Sequence, residues 1–74
     1  MSSTDLLYYI ILDAFALQAT PKDISVKNRL VMLVDEFKAK IENGQEPPDM
    51  ESVLLKLENY ANKLNKGSNS QGVN

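Results

Sequence analysis

Cysteine and histidine are both missing from this chain of 74 residues. Without thiols there is no disulfide, and without imidazole or thiolate the usual zinc ligands are gone. Two of the devices that staple small domains together are therefore closed to it. The same absences remove histidine and cysteine catalysis. Glycine occurs only at Gly44, Gly67 and Gly72, too scattered for a phosphate-cradling loop. Asp35 with Glu36, and Asp49 with Glu51, lack the alternating oxygen ligands and glycine of a calcium loop. Long apolar runs are lacking as well. The longest, Leu6 to Ala19, is shorter than the ~20 residues a bilayer requires and is interrupted by Asp13. No basic segment precedes it as a secretory signal would need, since Asp5 is the only charged side chain ahead of it. These absences lead us to expect no enzyme, no cofactor, no metal site, no membrane span and a cytoplasmic location.

Neither sign of charge dominates. Eight basic and ten acidic residues leave a net charge of −2 and a pI near 4.9, which argues against general attraction to nucleic acid or to an anionic membrane. Nor is the surface acidic enough to imitate DNA. Size adds a further constraint, because a domain of about 60 ordered residues buries only ~60% of its unfolded surface and is marginal alone. A second copy of the chain is the remaining route to a larger core.

What is present is helical patterning. Leu6 to Leu12 is rich in strand formers, but the apolar run continues to Ala19 without a Gly or Pro to end a strand, so length favours a helix. Ser3 or Thr4 is its expected N-cap, with Asp5 at the positive end of the dipole. On a wheel the apolar residues of this first helix cover roughly two-thirds of the circumference, more than the ~100° stripe of a surface helix. It is therefore either sandwiched within the monomer or shared with a partner. Its one polar strip carries Tyr9, Asp13, Ala16 and Thr20, which places Asp13 in water beside the Tyr9 hydroxyl.

Thr20-Pro21-Lys22-Asp23 reads as a capping box, with threonine as N-cap and proline at the first helical position of a second helix, which starts at Pro21 or, after a short kink, near Ser25. That helix presents Val26, Leu30, Leu33, Val34, Phe37 and Ile41 on one face, and Gly44 is placed to close it in the left-handed conformation. Pro47 and Pro48 make the next connection rigid, and Asp49 caps a third helix. Met50, Val53, Leu57, Tyr60 and Leu64 form a seam about two heptads long, widened by Leu54 and Ala61, which predicts a hairpin with the second helix. Gly67 is the expected stop, and the polar residues after it are expected to be disordered.

The expected architecture is all-α, one helical domain over residues 1–66 with helices at about 4–19, 21–43 and 49–66 and a disordered tail over 67–74. It is either a small three-helix bundle or a helical hairpin with an apolar first helix, completed by dimerisation. Such a chain works through its surface. The leading expectation is a non-enzymatic protein–protein interaction module, a homodimer that binds and modulates or helps assemble a larger complex, such as a bacterial or phage inhibitor or adaptor. Its candidate interface is Tyr8, Ile11, Leu12 and Phe15 of the first helix with Ile24, Val31 and Met32 of the second, the last three being apolar but off the core face. The alternative is a small DNA-binding transcriptional regulator that meets phosphates with Lys22, Lys27 and Arg29. Acidic neighbours are interleaved among those cations, which favours a solvated mixed face instead.

Overall fold

The computed structural model describes residues 1–72, with side chains through Asn65. The described chain is all-α: α1 spans Ser3–Ala19, α2 spans Ile24–Glu42 and α3 spans Met50–Gly72. α1 is capped one residue earlier than expected, by Ser2, whose hydroxyl accepts the Asp5 amide at 3.1 Å. It ends at Thr20 because the next residue is a proline, which disfavours helical geometry before it.

Thr20 does not cap α2. Its hydroxyl is turned back toward α1, where it donates to the Ala16 carbonyl at 2.9 Å, and the cap of the next helix comes from Asp23. Asp23 accepts the Val26 amide at 3.3 Å and caps α2, which begins at Ile24, at the later of the two expected starts and not at Pro21. At the other end Gly44 takes φ +79 as expected. Its amide donates to the Ile41 carbonyl and that of Gln45 to the Lys40 carbonyl, each at 3.1 Å, a Schellman closure.

The hairpin between α2 and α3 does not form. Among the described residues α2 packs on α1 and α3 packs on α1, while α2 and α3 make no close approach to each other. The reason lies in the connecting segment. Ser3 donates its hydroxyl to the Glu46 carbonyl at 2.7 Å, and the Asp49 amide donates to the Thr4 hydroxyl at 2.9 Å. These bonds pin the loop under the N-terminus of α1, and Pro47 and Pro48 keep it extended. α3 therefore emerges on the far side of α1 and runs parallel to it. α1 is flanked on both sides, which accounts for its unusually wide apolar arc.

α3 starts as expected at Asp49, whose carboxylate accepts the amides of Glu51 and Ser52 and the Ser52 hydroxyl. It continues through Gly67 to Gly72, beyond the expected stop. A lone glycine within a helix costs only about 1 kcal/mol relative to alanine, which is not enough to end one. The rest of the expected tail, residues 73–74, lies outside the described residues, as do the side chains from residue 66 onward.

The core is small. Leu6 and Val53 are fully buried, at the level where the loop is pinned to α1, and no other large apolar side chain among those described is buried. Val26, Leu30, Leu33 and Phe37 of α2 are half-buried, as their shared face predicts, while Val34 and Ile41 at its edge are exposed. The molecule is broad and thin, 52 × 31 × 15 Å, with a radius of gyration of 14.7 Å. A compact chain of this length would have a radius of about 11 Å.

Candidate interaction surface

The polar feature at the centre of the molecule is an ion pair that the sequence placed wrongly. Asp13 was expected in water on the polar strip of α1; it is 6% exposed. Its carboxylate accepts two hydrogen bonds from Arg29 of α2, from Nε to Oδ2 and from Nη2 to Oδ1, both 2.7 Å. This planar, two-pronged geometry is the strongest that a guanidinium and a carboxylate can adopt. The Arg29 side chain itself is 63% exposed and lies over Asp13 as a cover. Hydrogen bonding to Asp13, and then its charge, raise the guanidinium pKa further above its ordinary range. Tyr9 takes no part, and stands edge-on to Tyr8 with ring centroids 5.1 Å apart. The pairing had a readable signal: positions 13 and 29 are equidistant from Pro21, so an antiparallel hairpin about that turn brings them opposite each other.

Two contiguous depressions lie over α1. The first, of 490 Å³, has the Asp13–Arg29 pair in its lining together with Tyr9, Leu12, Leu33 and Tyr60. The second, of 550 Å³, lies between α1 and α3 and is lined by Leu12, Phe15, Ala16, Leu57, Tyr60, Ala61 and Leu64. Leu12, Ala16 and Tyr60 belong to both, so the two form one largely apolar trough. The opposite edge of the α1–α3 contact is polar: Lys56 Nζ lies 3.3 Å from Asp5 and 5.8 Å from the centre of the Tyr8 ring.

The candidate interface residues fall into separate places. Tyr8, Ile11 and Leu12 are half-buried on α1, whereas Phe15 is 63% exposed in the trough. Ile24, Val31 and Met32 are exposed on α2, turned away from the face that packs on α1. The structure thus does not gather all seven into one patch. Of the candidate phosphate contacts, Lys22 and Lys27 are exposed, and Arg29 is engaged by Asp13.

Sequence reasoning missed the exposed face of α3. Met50, Leu54, Leu57, Ala61 and Leu64 recur at alternating spacings of four and three, about a quarter turn around the helix from Val53 and Lys56; Met50, Leu54 and Leu64 are exposed, and Leu57 is half-buried where the seam borders the trough. The register was visible in the sequence, but the neighbouring Val53, Leu57, Tyr60 register overlaps it, and only packing separates the two. Among the described residues no group of acidic side chains could hold a metal ion, and no helix is long and apolar enough to cross a membrane. Comparison of the chain with protein-family models, curated proteins and solved structures finds no match.

Proposed function

We propose that this chain is a non-enzymatic helical interaction module which works as a homodimer and binds a larger protein, modulating it or helping it assemble, in the manner of an inhibitor or adaptor. The observation that carries the reading is the imbalance of its apolar surface. Thirteen large apolar side chains are exposed among those described, against two fully buried. Exposed apolar side chains are normal when scattered singly, but contiguous ones mark interaction sites. The trough and the α3 face are contiguous. The polar groups, in contrast, are spent on structure: Asp13 on Arg29, Asp23 and Asp49 on helix caps, Ser3 and Thr4 on the loop.

The regulator reading, in which Lys22, Lys27 and Arg29 meet DNA, is weaker, because the Asp13 carboxylate already neutralises the arginine. Phosphate binding draws its affinity from uncompensated cations and falls steeply with salt. The test is copurification from cells that naturally make the protein, with Met32→Glu on α2 as the comparison. A partner retained by the unmodified chain and lost from the variant supports the reading. Recovery of the chain alone, or of nucleic acid released by modest salt, overturns it.

A further inference from the structure

We infer that the trough between α1 and α3, with the α3 seam beside it, and not the outer face of α2, is the surface that a second copy of this chain covers. The inference rests on the proposed homodimeric module and assigns its faces. Three observations support a second copy, the first for the chain as a whole and the other two for its place on the trough.

The first is area. The chain exposes 5724 Å², whereas a compact monomer of 8.3 kDa exposes about 4,600 Å². The excess is about 1,100 Å² per chain. Obligate homodimer interfaces bury upwards of about 2,000 Å² in total, or roughly 1,000 Å² from each partner. One self-association of ordinary size therefore brings each chain to the surface expected of a compact protein.

The second is shape. The face offers both projection and recess: Leu54 stands 62% exposed next to a 550 Å³ depression that Leu57 and Ala61 line together with the well-exposed Phe15 and Leu64, 63% and 56%. A patch that carries its own complement suits an isologous contact about a two-fold axis, in which each chain's projection enters the other's recess. The third is pattern. The Met50, Leu54, Leu57, Ala61, Leu64 spacing is that of a helix seam made to pack on another helix. It is too short to stand alone as a coiled coil. Flanked by α1 of each chain, it becomes the centre of a four-helix arrangement.

The outer face of α2 differs on each point. Ile24, Val31 and Met32 are exposed but line neither of the two depressions over α1, and they lie on the opposite side of α2 from the half-buried residues that pack on α1. They are not needed to complete the dimer.

The experiment is sedimentation equilibrium of the full chain and of three variants, Leu54→Glu, Phe15→Glu and Met32→Glu, with far-ultraviolet circular dichroism to confirm that each remains helical. All three positions are exposed in the single chain, so none of the changes should unfold it. A carboxylate buried without a partner at the interface should raise the dimer dissociation constant by on the order of a hundredfold or more. Leu54→Glu and Phe15→Glu are expected to do so, and Met32→Glu to leave the constant unchanged. The absence of cysteine permits a second readout: Leu54→Cys or Ala61→Cys should cross-link two chains on oxidation, and Met32→Cys should not. A monomer mass for the unmodified chain at hundreds of micromolar overturns both the homodimer and this assignment. A dimer unaffected by the two trough variants, or broken by Met32→Glu, overturns the assignment alone.

Discussion

Replacing Leu6 by alanine tests whether so small a core holds the third helix. Leu6 is completely buried on α1 and Val53, equally buried, is its counterpart on α3. Removing three carbons forfeits about 0.8 kcal/mol each in transfer free energy, roughly 2.4 kcal/mol together. A residual cavity adds to this, so that measured Leu→Ala costs in cores run from about 2.7 to 5 kcal/mol. The lower end is expected here, near 3 kcal/mol, because among the described residues α3 packs on α1 alone of the helices and can settle into part of the space. A chain of this length is stable by roughly 4 to 11 kcal/mol in all. The loss is therefore a large fraction of the whole, and corresponds to a fall in melting temperature of about 12 °C or more. Urea unfolding followed by circular dichroism at one fixed protein concentration measures it, the concentration being fixed because self-association makes stability depend on it. Leu55, 58% exposed on another side of α3, is the control, and Leu55→Ala should stay within about 0.5 kcal/mol. A loss below about 1 kcal/mol for Leu6→Ala would show that the pinned loop, and not the Leu6–Val53 level, holds α3 in place.

The Asp13–Arg29 pair should respond asymmetrically: Arg29→Met strands a buried carboxylate and should destabilise more than Asp13→Leu, which frees an exposed guanidinium to turn into water. Equal midpoints in thermal melts of the two variants would refute this. Asp23→Ala should cost about 1 kcal/mol by uncapping α2, and Thr20→Ala clearly less, since its hydroxyl only supplements an amide bond to the same carbonyl; the reverse order in urea melts would return the cap to Thr20. Asp49 predicts a pH dependence. The Ser52 hydroxyl, then the Ser52 and Glu51 amides, hold its pKa below the ordinary 3.8, against a smaller opposing effect of desolvation. A carboxylate depressed in the folded state binds protons less readily there than in the unfolded chain, so its contribution is complete above the unfolded value and is lost as pH falls from there through the folded one. Stability should fall on acidification below about pH 4, and Asp49→Asn should flatten that part of the profile; an unchanged slope would refute the role of the cap.

Local chemistry made much of this chain legible. Three helices, the closure at Gly44 and the cap at Asp49 follow from residues within a few positions of one another, where glycine conformation, proline geometry and side-chain acceptors act without regard to the rest of the fold. The half-buried stripe of α2 followed from periodicity alone, for the same reason. At the α1–α2 junction the local pattern suited a start at Pro21 or a later one, and the structure starts the helix at Ile24, capped by Asp23, with the Thr20 hydroxyl turned back to Ala16. What only the tertiary structure decided is which side of each helix is covered. The extended loop, pinned by Ser3 and Thr4, sends α3 past α1 and so away from α2. That placement buries Val53 and leaves Leu54 and Leu64 exposed though they share its apolar stripe, while the packing of α2 on α1 takes Asp13 from water to Arg29. Such outcomes depend on contacts between residues 16 to 45 positions apart, and a pattern of apolar spacings specifies that a face exists without specifying what lies against it.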